Sequence, residues 1–373
     1  MPPFSSRLVV RNLVTIADAA PFSFGVGAGE CLALLGNRGA GLSVVADALA
    51  GQRPLLDGNV TVGGIDVSGR PPLTRMCGLW GARDPLFAHL TVFQNLLFPL
   101  RVRGIARAEA ADRARQSMAL LGLEGLAHVR PAALDAEQVL RAGLARVMVC
   151  APPVIVLDDP FAPLPADRRV AMRNFVGRLI RARDLCVVMA TCDRDDALVV
   201  GDRIAFFDGS QHLQTGTAAD LFDRPACDRV ATGFAGANAL TGRVSYIEED
   251  VAVIRLPDGL AVQAMAAPGL MEDSLCTVCV RPDRIATLFP ARPGAMGSIA
   301  ADDGEPAMLP AVLVDMRHMG TYIRMRMRLS NGEELLVRRP PLQIVCGVEP
   351  GRPALLAWQA GQAIAFPFRH EMR

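Results

Sequence analysis

The sequence predicts an α/β domain built on a mostly parallel sheet, followed by a small all-β barrel. Three observations carry that prediction. Continuous apolar runs alternate with helical patterns through the larger, first part of the chain, and a Gly-rich turn links one such run to a helix. Beyond Asn238 helical periodicity gives way to short alternating strands with Asp-Gly and Asn-Gly turns. A chain of 373 residues suits two domains, expected at 1–236 and 237–373.

Short strands occupy 7–35 and end in the apolar run Cys31–Leu35, which stops at Gly36-Asn-Arg-Gly-Ala-Gly-Leu-Ser43. Val44 to Leu49 then has helical character, with Gly51 as its stop. Ala106 to Leu121 reads as a helix, with arginines at 107, 113 and 115 opposite an apolar face. It lies in an expected helical subdomain at about 83–145. Val154–Leu157 and Leu185–Ala190 are apolar throughout, as suits strands covered on both faces, and Asp167 to Arg181 between them reads as a helix. After Asn238 each half of the β domain shows strand, turn, strand and a closing apolar strand, Thr277–Val280 in one and Ala354–Trp358 in the other. A Pro/Gly/Ala/Asp-rich stretch from Pro290 to Pro310 between them reads as a flexible loop.

Composition narrows the function. All 39 basic residues are arginine, and with no lysine there is no Schiff base and no lysine phosphate clamp. A net charge of +1 gives no reason to expect a nucleic-acid partner. The nine cysteines are scattered through apolar runs, and Cys276-x-x-Cys279 lacks a second pair at zinc spacing, so they read as core thiols. No signal-peptide pattern opens the chain and no apolar run is long enough to span a bilayer, so a cytoplasmic location is expected.

Strand, GxxGxG and helix form the frame of a phosphate-binding loop, in which glycines let successive N–H groups point inward at a helix N-terminus. Its residues are Gly36, Asn37, Arg38, Gly39, Ala40, Gly41, Leu42 and Ser43. The strand Val154–Leu157 ends in Asp158 and Asp159, the pattern of a Walker B segment.

With these motifs in order, the chain resembles the ATP-binding subunits of ABC transporters, of the importer type that carries C-terminal TOBE barrels, as in maltose, spermidine or ferric-ion uptake. Leu86-Phe-Ala-His-Leu-Thr-Val92, Asn95 and Phe98-Pro-Leu100 are similar to the segment after the Q-loop, and Val280-Arg-Pro-Asp-Arg-Ile285 is similar to a TOBE motif. Asp202-Arg-Ile204 and Gly216 to Leu221 look like the segment after the H-loop. The resemblance implies a P-loop NTPase fold with an OB-like barrel, and ATP and Mg²⁺ as ligands, with Ser43 and Asp158 on the metal. It implies permease subunits as partners, a homodimer or heterodimer with a second ATP-binding subunit, and a peripheral position on the inner face of the cell membrane.

Departures from the family pattern fall on the catalytic positions. Leu42 stands where the P-loop lysine is expected, Ala82 at the Q-loop glutamine, Asp159 at the catalytic glutamate and Cys192 at the switch histidine. Leu134-Asp-Ala-Glu-Gln138 replaces the signature, placing Asp135 and Glu137 where a serine and a glycine would face the partner's phosphate, and Ala162–Pro165 replaces the D-loop. A charge-assisted hydrogen bond is worth roughly 1.5–3 kcal/mol, and loss of one preorganised donor costs about 10²–10³ in rate. Impaired ATP hydrolysis is therefore expected, and weak or absent ATP binding with it. The alternatives are a weakly active ATPase using Arg38, Ser43, Asp158 and Asp159, and a regulatory binding module.

Overall fold

The computed structural model describes residues 7–17, 19–81, 83–290, 308–341 and 348–368. These divide into two compact units, Met1–Asp220 and Leu221–Arg373.

The first unit opens with β1 (Leu8–Val14), β2 (Phe22–Val26) and β3 (Cys31–Gly36), then α1 (Leu42–Ala50). Next come β4 (Asp57–Val62), β5 (Ile65–Asp66) and β6 (Cys77–Gly81). The helices α2 (Val92–Val102), α3 (Arg107–Leu121) and α4 (Ala136–Met148) follow. Then β7 (Val154–Asp158), α5 (Ala166–Ala182), β8 (Cys186–Thr191), α6 (Arg194–Val200), β9 (Arg203–Asp208) and β10 (Gln211–Gly216) complete the sheet, and α7 (Ala218–Asp223) leads out of it.

Two sheets organise this unit. An antiparallel one has the order β2-β1-β4-β5, and a mostly parallel one the order β10-β9-β3-β8-β7-β6. Every residue of β3, β7 and β8 is buried, so the three apolar runs are the central strands. α1 is preceded by its N-cap Gly41, whose φ of 77° is left-handed. Gly51 ends it at φ 78°. The buried Arg75 then donates to Ala48 O (2.7 Å) and Leu49 O (3.1 Å), satisfying carbonyls that a helix C-terminus leaves open, and also to Val67 O and Ser68 O.

α3 buries Ala110, Ala114, Ser117, Met118 and Leu121, the single face its pattern predicts. α2 starts from Thr91, whose hydroxyl accepts from Gln94 N–H while Gln94 Oε1 accepts from Thr91 N–H. Behind it the wholly buried Asn95 accepts from Phe87 N–H at 2.8 Å and donates to the carbonyls of Phe87, Leu90 and Thr91. One amide thus holds the Leu86–Val92 segment in shape.

The second unit adds α8 (Asp228–Gly233), β11 (Asn238–Glu248), β12 (Val251–Arg255), β13 (Ala261–Ala266), β14 (Leu275–Val280) and β15 (Ala286–Leu288). β16 (Leu309–His318), β17 (Ile323–Leu329), β18 (Glu334–Arg339), β19 (Pro353–Ala357) and β20 (Ala363–Pro367) follow. The strands β11-β12-β13-β20-β14 close into a barrel, and β15-β19-β16-β17-β18 form a five-stranded sheet beside it. β11 pairs with β12 and β14, and β16 pairs with β17 and β19, so the same hairpin-and-return order occurs twice. Gly259 and Gly332 turn the two hairpins with φ of 88° and 87°. One core serves both sheets, holding Leu240 and Val278 together with Leu313, Met327 and Val337.

In β17 the methionines 325 and 327 point inward and Arg326 and Arg328 outward, where both meet Glu334, at 3.5 and 3.0 Å. Cys276 and Cys279 are buried in β14, and burial pushes their thiols up to about 11 and about 12. Most of the Pro290–Pro310 stretch lies outside the described residues, as does Ala82. Among the described residues no helix is long and apolar enough to cross a membrane.

Candidate functional site

The Gly-rich loop leaves β3 at Gly36 and enters α1 after Gly41. Two of its glycines are there for space. A Cβ on Gly36 would lie 2.9 Å from the Ala40 Cβ, and one on Gly41 would lie 2.1 Å from Ile16 Cδ1. Within the turn, Ala40 N–H donates to Asn37 O at 2.9 Å, and Val44 and Val45 donate to Gly41 O. Among the described residues no protein acceptor meets the N–H groups of Gly41, Leu42 and Ser43, the open donors of a helix start. The loop lines a cavity of about 370 Å³ together with Asp158, Asp159, Ala190, Thr191 and Cys192. The residues singled out in the loop, at the end of β7 and after β8 therefore share one cavity; Ala82 is the exception, lying outside the described residues.

Their side chains divide the work unevenly. Leu42 is only 8% exposed and belongs to the same buried cluster as Leu34, Val156 and Ala190. It is packed as a core residue and presents no donor to the cavity. Arg38 is exposed at the loop tip. Asp159 sits at φ 47°, its N–H donating to Ala190 O at 2.8 Å. Its carboxylate accepts from Cys192 N–H at 3.3 Å and lies 3.8–3.9 Å from the Cys192 thiol. Asp159 and Cys192, expected at the catalytic-glutamate and switch-histidine positions, thus face each other as a carboxylate and a weak donor.

Ser43 and Asp158, expected to hold a metal, are engaged within the protein. Ser43 Oγ donates to Asp158 Oδ1 at 2.8 Å, while Arg83 donates to Asp158 Oδ2 from both Nε (2.9 Å) and Nη2 (2.8 Å). The same guanidinium reaches Asp47 Oδ1 at 3.0 Å and Ser43 O at 3.3 Å. Burial works against the Arg83 charge, but the hydrogen bonds to Asp158 and Asp47 outweigh it and hold the group above the ordinary arginine range. A divalent ion on Asp158 would face this guanidinium at close range. Even two single like charges about 4 Å apart repel by roughly 4 kcal/mol at an effective dielectric near 20. With both carboxylate oxygens engaged and a fixed cation already on one of them, Ser43 and Asp158 do not fit Mg²⁺.

Arg83 and Asp47 were not among the residues the sequence singled out. The available signal was an arginine directly after the Q-loop position and an acid on the helix that follows the loop.

The signature-like segment has its own structural duty. Asp135 caps α4, accepting from Gln138 N–H at 2.8 Å, and Gln138 Oε1 accepts from Asp135 N–H at 3.0 Å. Glu137 pairs with Arg141 at 2.8 Å and Arg168 at 3.3 Å. On another face, a groove of about 770 Å³ runs between the β6 exit and α2, lined by Arg83, Phe87, Phe98, Arg103 and Arg146 among others. Phe87 and Phe98 meet edge to face with centroids 4.8 Å apart and are 37% and 45% exposed.

Comparison with known proteins identifies the family. Residues 19–162 match the ABC transporter family and residues 278–366 the TOBE domain. A spermidine/putrescine import ATP-binding protein of Pseudomonas aeruginosa is 30% identical over 315 residues, covering 83% of this chain and 82% of the relative. An Fe(3+) ions import ATP-binding protein of Rhizobium etli is 30% identical over 292 residues, 78% of this chain and 82% of the relative. A sulfate/thiosulfate import ATP-binding protein of Nocardia farcinica is 35% identical over 234 residues, 63% of this chain and 71% of the relative. The chain belongs to the ABC transporter family, among the importer ATP-binding subunits that carry a C-terminal TOBE domain.

Proposed function

We propose that this subunit serves an importer from the inner face of the membrane while hydrolysing ATP poorly or not at all. The observation that carries the reading is Leu42. It is packed into the core where a phosphate-binding cation is needed, so this position offers the loop only its backbone N–H. Asp159 with Cys192 adds to the deficit, because the acid is one methylene shorter than a glutamate and the thiol is a weaker donor than an imidazole. What the chain's residues can still do is hold phosphate at the helix start and keep the loop, β7 and β8 in register.

Calorimetry tests this reading. ATP binding to the wild type is expected to be weak, and Leu42→Lys is expected to tighten it by about tenfold or more, the equivalent of one charge-assisted bond. Equal affinities in the two proteins would show that Leu42 is not the deficit.

The groove with Phe87 and Phe98 supports docking of a permease segment, since two exposed aromatic rings beside Arg103 and Arg146 suit an apolar helix with an acidic end. Permease subunits, and a second ATP-binding subunit in a homo- or heterodimer, are the partners this reading requires. Phe98→Glu is expected to abolish co-purification with the permease while leaving thermal stability nearly unchanged. Undiminished recovery of the complex would remove the groove from the interface.

A further inference from the structure

Resting on the nucleotide-binding reading above, we infer that Arg83 takes the place of a divalent cation on Asp158 beneath the phosphate loop, and that the loop takes its nucleotide free of divalent metal. Two acids lie beneath the loop, Asp47 on α1 at 6% exposure and Asp158 at the end of β7 at 5%. Buried carboxylates must be paired, and the partner here comes from a third element. β6 runs parallel to β7 with Gly81 opposite Asp158. A Cβ at Gly81 would lie 2.3 Å from the Asp158 carbonyl oxygen, so only glycine lets the chain leave β6 this close to the acid. Two residues later the Arg83 fork closes on Asp158 Oδ2 with two nitrogens and on Asp47 with a third contact.

A guanidinium suits this place because its donors are planar and fixed, and because it stays charged. It also donates to Ser43 O, which ties the cation to the loop itself. Arg53 lies 3.5 Å from Asp47, and among the described residues Arg83 alone spans both acids. The Ser43 hydroxyl donates its proton to Asp158, and the carboxylate that a metal would need is neutralised from the groove side. Asp158 therefore already has its counter-charge supplied by the chain.

The test uses the full chain and two readouts. In calorimetry with ATP, the wild type is expected to bind equally well, within about threefold, in excess EDTA and in MgCl₂, whereas Arg83→Ala should bind at least about tenfold more tightly with Mg²⁺. In thermal unfolding without nucleotide, Mg²⁺ should raise the Tm of Arg83→Ala beyond the effect of NaCl at matched ionic strength. It should not do so for the wild type or for Arg83→Ala/Asp158→Asn. Should Arg83→Ala fail to fold, Arg83→Gln keeps hydrogen-bonding groups without the charge and carries the same expectations. A wild-type affinity that rises tenfold or more with Mg²⁺ would overturn the inference, and so would an Arg83 variant that shows no Mg²⁺ response in either readout. If no protein binds ATP in either buffer, the nucleotide-binding reading fails, and the Mg²⁺ response of the variant's Tm alone decides the role of Arg83.

Discussion

Leu42 and Arg83 show how a single side chain reassigns a site. At one position a cation is expected and an apolar side chain is packed inward; at the other a cation stands where none was anticipated. His212 makes a second residue-scale point. It packs against Phe22 at 4.3 Å between centroids, and its Nε2 lies 2.8 Å from Thr215 Oγ1. Burial holds its pKa below the ordinary histidine value of about 6.5, so the folded state disfavours the imidazolium. As pH falls through 6.5 the unfolded chain takes up a proton that the folded chain refuses, and stability is lost. Chemical denaturation at pH 7.5 and pH 5.5, two ordinary buffer conditions spanning roughly the histidine range, should show that loss, and His212→Gln should flatten it. An unchanged slope in the variant would assign the effect elsewhere.

At the scale of elements, the loop and the helices around it were legible in different degrees. The strand, turn and helix around Gly36–Ser43 could be read because apolar runs and glycines are local signals, and Asp158 could be read because it ends such a run. The Arg83 clamp could not. Its partners lie 36 and 75 residues away, and only the β6–β7 register brings them together. Asp135 was legible as a departure but not in its local role, since only the structure shows Gln138 returning the hydrogen bond. Replacing this cap with alanine should lower stability by about 1 kcal/mol, whereas Asp135→Ser should lose only a few tenths. Urea unfolding of both variants measures the difference. Equal losses would mean that the carboxylate does more than cap α4.

At the scale of the whole molecule, the family assignment and the altered site describe one protein. The chain keeps the parallel sheet, the capped helices and the β-domain core, each of which is a matter of packing. Under the proposed reading it lacks the side chains that the resemblance implies for phosphate binding and hydrolysis, with Leu42, Asp159 and Cys192 at those positions. The departures from the motif can be read in the sequence because apolar periodicity and motif positions are separate signals; the Arg83 clamp on Asp158 and Asp47 cannot, because it depends on three elements meeting.

Phosphate release by the purified chain at saturating Mg²⁺–ATP, compared with Asp158→Asn, tests the central claim most directly. The account predicts that the two rates are indistinguishable and no higher than a protein-free control. A wild-type turnover that disappears in Asp158→Asn would contradict it.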